Sequence, residues 1–83
     1  MPFDIVLTEE SEEFIKKCDK AVRNRIIKSL RKLENEPESG KPLTSILTGL
    51  WSLSIGDYRA IYQIKNSELI VVVIKIGHRK NVY

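Results

Sequence analysis

The side chains best suited to acid–base or charge-stabilising chemistry are concentrated toward the end of the chain. Arg59 is followed, further along, by His78, Arg79 and Lys80 and then by Tyr83. An arginine can bind two phosphate oxygens through its planar guanidinium group and keeps its charge at every relevant pH. His78 and Tyr83 can accept or donate a proton. This set of residues predicts a site for an anionic substrate, and a phosphate ester fits it best.

Such a set suits RNA cleavage, because the 2′-hydroxyl of RNA is itself a nucleophile. The reaction needs a base near the 2′-oxygen, an acid near the leaving 5′-oxygen and cations around the charged transition state. Metal-assisted hydrolysis would need carboxylate ligands, but after Glu38 only Asp57 and Glu68 are acidic. One cysteine and one histidine also exclude an ordinary structural zinc site. We therefore expect no metal and no other cofactor.

Charge is distributed unevenly along the chain. The 83 residues carry a net charge of +3, and the segment after Glu38 holds six lysines and arginines against two carboxylates. A basic segment of this kind can bind a polyanion. Three of its lysines are expected to contact RNA: Lys41, Lys75 and Lys80.

The apolar pattern predicts one α+β domain over residues 1–83. It begins with a strand over 3–7, a helix capped by Thr8, and a second amphipathic helix over 22–33. Two prolines and a glycine within 36–42 then predict a loop. Three or four antiparallel strands follow, and the two helices are expected to pack on one face of their sheet.

The first two strands of this sheet are expected to form a hairpin that turns at Gly56 and Asp57. In a two-residue turn, Trp51 pairs with Tyr62 and Ser54 with Arg59. One face is then apolar, and the other presents Ser52, Ser54 and Arg59 together. The last strand, 68–76, is nearly all apolar, which is typical of a central strand covered on both faces and ended here by Gly77. Its apolar run is too short for a membrane helix, and the single cysteine suits a reducing cytoplasm.

Two motifs give the chain a resemblance to a known family. They are Gly56-Asp57-Tyr58-Arg59 with Ile61-Tyr62, and the ending Gly77-His78-Arg79 with Val82-Tyr83. In this order, after a helical first half and a proline–glycine loop, they resemble the RelE/ParE toxin superfamily. The resemblance covers nearly the whole chain and lies nearest to the RelE type.

Resemblance to RelE implies the toxin of a type II toxin–antitoxin system. Such a toxin is a ribosome-dependent endonuclease that cuts mRNA without a metal, inhibits translation and is neutralised by a RelB-like antitoxin in a hetero-oligomeric complex. By position, Arg59 resembles the arginine that binds the scissile phosphate, Arg79 the one that assists the leaving group, and Tyr83 a tyrosine that stacks or accepts a proton. His78 resembles a histidine that other ribosome-dependent members use near this end.

The chain departs from the RelE pattern at Ser52 and Ser54, where that pattern has two lysines. Both serines are still expected to face RNA, and His78 is expected to compensate for the two missing lysine charges. Two alternatives stay open. A ParE-type toxin would share the fold, inhibit DNA gyrase and need no acid–base residues, and a decayed toxin would keep only its antitoxin-binding surface.

Overall fold

The structure is a computed structural model that describes residues 2–82. Over this range it contains seven main elements, which are β1 (Asp4–Leu7), α1 (Glu9–Lys17), α2 (Lys20–Arg31), β2 (Lys41–Pro42), β3 (Trp51–Ile55), β4 (Tyr58–Lys65) and β5 (Ile70–His78). Short 3-10 turns lie in the connections. The predicted order of strand, helix, helix and further strands is confirmed.

Both helices begin at side-chain caps. The Thr8 hydroxyl accepts a hydrogen bond from the main-chain nitrogen of Ser11, and the Asp19 carboxylate accepts one of 2.9 Å from that of Val22. A cap of this type satisfies an amide that the helix leaves without a partner. Cys18 caps the end of α1, and Asp19 directly after it caps the beginning of α2, so the two helices are separate.

The sheet has five strands in the order β1-β5-β4-β3-β2, and it is mixed. This corrects the prediction of three or four antiparallel strands. β1 pairs in parallel with β5, with Ile5 beside Val71 and Leu7 beside Val73. A parallel pair needs a long crossover connection, which the two helices provide. β2 is only two residues long and lies in the predicted loop, so its sequence carried no strand signal.

The hairpin of β3 and β4 has the register predicted from its turn. Trp51 pairs with Tyr62, Leu53 with Ala60, and Ile55 with Tyr58. The rings of Trp51 and Tyr62 are stacked with their centres 6.3 Å apart. Both side chains therefore belong to the apolar face, as expected.

The core lies between the helices and one face of the sheet. Its most buried side chains are fully inaccessible to solvent: Ile26, Leu33, Tyr62, Val71 and Val73. Burying an aliphatic or aromatic side chain stabilises a fold by about 1.5–3 kcal/mol. Burial of these side chains in one cluster holds the helices against the sheet, which fixes the positions of the exposed residues on its strands.

A β-bulge interrupts the pairing of β4 with β5. Tyr62 pairs with Val73 but the preceding residue, Ile61, pairs with Lys75, so Ile74 is an extra residue on β5. Without the bulge, strict alternation would place Lys75 on the same face as the buried Val73. The extra residue instead turns Lys75 to the opposite face and returns Ile76, which is 3% exposed, to the core.

The N-terminal end of α1 contacts this bulge. The Ser11 hydroxyl donates a hydrogen bond of 2.9 Å to the main-chain oxygen of Val73, and the Thr8 hydroxyl donates one of 2.7 Å to that of Ile74. The Val73 oxygen also accepts a hydrogen bond of 3.1 Å from the Thr8 main-chain nitrogen, so the beginning of α1 is joined to β5 at the bulge. β5 also continues through Gly77 to His78, one strand position beyond the glycine that was expected to end it.

Candidate functional site

The residues with predicted chemistry lie mainly on the sheet face that carries no helix, which we call the open face. Cross-strand partners share a face, so the pairs Ser54–Arg59 and Arg59–Gly77 form one row across β3, β4 and β5. We call this the Arg59 row. β5 is an inner strand as predicted, but no helix of the described chain packs on its open face, where Val72 remains partly exposed.

Arg59 is available to a ligand. It is partly exposed, and within residues 2–82 its guanidinium forms neither an ion pair nor a side-chain hydrogen bond. Asp57 and Glu68, the two carboxylates of the basic segment, form no ion pair with Arg59 in the described part of the chain. A strand position with a fixed backbone and an unneutralised guanidinium is a suitable place to bind a phosphate.

The residues after β5 bring Arg79 to the same end of the sheet. The Arg79 main-chain nitrogen donates a hydrogen bond of 2.8 Å to the oxygen of Asp57 in the hairpin turn. The chain then turns, and Val82, only 2% exposed, packs over Gly77 of the Arg59 row. Arg79 and Lys80 are exposed, whereas Tyr83 lies outside the described residues.

His78 lies on the other face of the sheet from Arg59. Its strand partner is Tyr58, whose ring packs edge-on against Phe14 of α1 with centres 5.9 Å apart. The His78 ring lies edge-on to Tyr58 at 6.0 Å, and its Nδ1 accepts a hydrogen bond of 3.3 Å from the Lys80 main-chain nitrogen. The β5 bulge causes this placement, because it shifts which residues of the strand face the helices. The structure does not bring His78 together with Arg59.

The two serines predicted to face RNA differ in their surroundings. Ser54 is exposed beside Arg59, but Ser52 is only 4% exposed, which corrects the prediction of a polar patch made by both. Among the described residues, the Ser52 hydroxyl also has no hydrogen-bond partner. Its strand partner on β2 is Lys41, an exposed residue that the sequence placed in a loop. The pairing of Lys41 with the sheet gave no signal in the sequence.

Sequence reasoning also missed a contact that positions Lys41. The Tyr62 hydroxyl donates a hydrogen bond of 2.7 Å to the Pro37 oxygen and accepts one of 3.1 Å from the Gly40 nitrogen. A Cβ atom at Gly40 would come within 2.7 Å of that hydroxyl and 2.6 Å of the main-chain oxygen of Ser52, so only glycine permits this close approach. The loop is thus fixed to the sheet one residue before β2.

Burial affects the acid–base properties of two residues. It raises the pKa of the Tyr62 hydroxyl, an effect that the Gly40 hydrogen bond partly offsets. Burial and the neighbouring Asp19 carboxylate also raise the pKa of the Cys18 thiol, against a smaller lowering by Arg23. A raised pKa disfavours the reactive thiolate, so Cys18 is a poor nucleophile.

The described residues hold no arrangement suited to a metal ion. Within 2–82, no three histidine, cysteine, aspartate or glutamate side chains are grouped so that they could hold one. In the same range, no helix has the length and apolar character needed to cross a membrane.

Comparison with known proteins gives the chain its family. The sequence model described as the ParE toxin of type II toxin–antitoxin system, parDE, matches residues 5–83. Toxin RelG of Mycobacterium tuberculosis is 28% identical over 85 residues, which cover 100% of this chain and 98% of that protein.

Solved structures agree with this assignment. A chain of the RelBE2 toxin–antitoxin complex from Mycobacterium tuberculosis has a TM-score of 0.87 and 26% identity, with 98% of this chain and 95% of that chain covered. A chain of the archaeal RelE–RelB complex from Pyrococcus horikoshii has a TM-score of 0.79 over 98% of this chain and 99% of its own, and its 22% identity indicates a shared fold. The chain therefore belongs to the RelE/ParE superfamily and is the toxin of a type II toxin–antitoxin system.

Proposed function

We propose that this toxin is an mRNA endonuclease that acts on the ribosome and is neutralised by a RelB-like antitoxin. The observation that carries the proposal is the partly exposed Arg59 on the open face, which forms no ion pair within residues 2–82, with Arg79 held at the same end of the sheet by Asp57. Similarity to Toxin RelG and to toxin chains from complexes with RelB-type antitoxins supports the assignment. A cytoplasmic location follows from such a target.

The proposed reaction uses the substrate's own hydroxyl group. The 2′-oxygen forms a bond to the adjacent phosphorus while the bond to the 5′-oxygen breaks, giving a 2′,3′-cyclic phosphate and a 5′-hydroxyl. Arg59 binds the non-bridging oxygens and Arg79 stabilises charge at the leaving oxygen. Tyr83 is assigned to proton transfer. His78 is assigned to packing against Tyr58, because a phosphate at Arg59 lies on the opposite face.

The experiment uses purified toxin and ribosomes programmed with a labelled message, in the presence of EDTA. Cleavage should continue and should leave a cyclic or 3′-phosphate upstream of a 5′-hydroxyl. Arg59→Ala and Arg79→Ala should each slow single-turnover cleavage on the order of 10²-fold, because each removes preorganised positive charge. Arg31→Ala, an exposed position on α2, is the matched control and should cut at the parental rate.

The second candidate function is inhibition of DNA gyrase, which the match to the ParE family model favours. Such a toxin would block supercoiling by purified gyrase and leave ribosome-bound mRNA intact. If the chain behaves in this way, or if both arginine variants cut as fast as the parent, the nuclease proposal is wrong. Cleavage products that carry 5′-phosphates and appear only with added magnesium would contradict it equally.

A further inference from the structure

A second row of cross-strand partners lies beside the Arg59 row on the open face. Lys41 pairs with Ser52, Ser52 with Ile61, and Ile61 with Lys75, so the row crosses β2, β3, β4 and β5. We call it the lysine row. Both lysines reach solvent, and neither forms an ion pair within the described part of the chain. The row therefore presents two unneutralised ammonium groups, one at each end.

The two side chains at the centre of the lysine row are closely packed. Ile61 is 6% exposed and Ser52 is 4% exposed, so both side chains are packed closely by their neighbours. The two ends are three strand spacings apart, about 14 Å from strand geometry. Lysine side chains are long and flexible enough to lean inward over this gap. An anion placed above Ser52 and Ile61 can then contact both ammonium groups.

The spacing of the two rows fits neighbouring phosphates of one RNA strand. On each strand the rows are two residues apart: Ser52 and Ser54 on β3, Ile61 and Arg59 on β4. Two residues of extended strand span about 6.6 Å. Successive phosphates of an extended single strand are separated by a comparable distance. A phosphate bound at Arg59 therefore places its neighbour near the lysine row when the backbone runs parallel to β3 and β4.

The Ser52 hydroxyl is a second, independent indication that a ligand binds at the lysine row. It is buried, and no described residue forms a hydrogen bond with it. A buried polar group without a partner is unfavourable, and such groups are uncommon in native structures. An anion drawn between the lysines would supply an acceptor close to this hydroxyl.

We infer that Lys41 and Lys75 form a second phosphate subsite, which binds the phosphate next to the one at Arg59. This inference rests on the proposed function, because it takes Arg59 as the ligand of the scissile phosphate. The β5 bulge creates the subsite, since it turns Lys75 to the open face. The contact of Tyr62 with Pro37 and Gly40 holds Lys41 at its other end.

The test combines protein variants with neutral linkages in the message. Lys41→Gln, Lys75→Gln and the double variant are compared with the parent on ribosome-bound mRNA, at constant salt. Each message carries either natural phosphates or one uncharged methylphosphonate, placed immediately 5′ or 3′ of the scissile linkage. Single-turnover rates at increasing toxin concentration separate the half-saturating concentration from the maximal cleavage rate.

We expect each single lysine variant to raise the half-saturating concentration roughly threefold to tenfold, with a smaller change in maximal rate, because a phosphate contact outside the reacting group acts on binding. The methylphosphonate at one of the two positions should weaken the parent similarly, and it should cause no further loss in the double variant. Such non-additivity identifies a direct pair. Lys65→Gln is the control, since Lys65 lies on the open face of β4 but four residues from Ile61. The loss caused by Lys65→Gln should add to the loss caused by a methylphosphonate at either position.

Two results separate the inference from the proposed function. The losses caused by the lysine variants and by each methylphosphonate can prove additive while Arg59→Ala still abolishes rapid cleavage. In that case the subsite is wrong and the nuclease assignment stands. If neither the parent nor any variant cuts the natural message, the nuclease assignment fails, and the subsite fails with it. Full coupling of the lysines to one neighbouring linkage supports both.

Discussion

The hydroxyl group of Tyr62 donates a 2.7 Å hydrogen bond to the main-chain oxygen of Pro37, across 25 residues of sequence. The ring is fully buried in the core, whereas the oxygen it reaches belongs to the loop before β2. One side chain thus connects the packing of the core with the position of Lys41.

Replacing Tyr62 by phenylalanine should test this connection. Tyr62→Phe keeps the ring but leaves the Pro37 oxygen and the Gly40 nitrogen without their partner. We expect a loss of about 1–3 kcal/mol in the free energy of unfolding, measured by urea denaturation. Tyr58→Phe is the control, because the Tyr58 hydroxyl forms no hydrogen bond within residues 2–82, and it should change stability by less than about 0.5 kcal/mol. Equal losses in the two variants would contradict the prediction.

The same hydroxyl should contribute to stability in a pH-dependent way. Burial raises the pKa of Tyr62 in the folded protein, while the unfolded chain titrates near the ordinary value of about 10. The stabilisation is fully present below that value. Above it the unfolded state binds fewer protons than the folded state, so the free energy of unfolding falls as pH rises toward the folded pKa. Denaturation followed from pH 8 upward should show this fall in the parent and a smaller one in Tyr62→Phe. Parallel curves would rule out the contribution.

The β5 bulge should depend on the hydroxyl group of Ser11. This side chain is fully buried, and it donates a 2.9 Å hydrogen bond to the Val73 oxygen. Ser11→Ala should lower the free energy of unfolding by about 1–2 kcal/mol and speed amide exchange at Lys75. Ser39→Ala changes an exposed serine in the loop and serves as the control. An unchanged exchange rate at Lys75 would show that the bulge is stable without Ser11.

The placement of His78 predicts a small effect on cleavage. His78→Gln should leave the single-turnover rate within about threefold of the parent, because the ring contacts Tyr58 on the face away from Arg59. Tyr83→Phe, which removes the proposed proton-transfer group, should lose about 10²–10⁴-fold. Rates measured from pH 6 to 9 on the same programmed ribosomes check both. A large loss in His78→Gln alone would show that the substrate passes around the end of β5.

Much of the fold could be predicted from local patterns. Thr8 and Asp19 begin their helices, and the alternation on both sides of Gly56 and Asp57 fixes the hairpin register. These features depend on residues close in sequence, where one turn or one cap determines the outcome. The parallel pairing of β1 with β5 depends on the packing of the whole chain, which local periodicity does not encode.

The candidate site was less predictable for the same reason. Arg59 is placed by the hairpin, and its open-face position was predicted. The face of Lys75 and of His78 depends on the bulge, which the uninterrupted apolar run of β5 conceals. Ser52 is buried because neighbouring strands and their side chains surround it, which cannot be read from an alternating strand.

The β5 bulge also changes how this chain should be aligned with its relatives. Deleting Ile74 would remove the extra residue and leave every later position on its present face, because Lys75 would then follow Val73 directly and still pair with Ile61, and His78 would still pair with Tyr58. A relative of equal length whose β5 pairs without a bulge would instead exchange the faces of every position after Val73, and would turn the residue at the position of His78 toward the substrate side. Relatives that differ by one residue between Val73 and Gly77 should be compared by the face that each residue occupies, because equal motif spacing to the end of the chain does not guarantee an equal site.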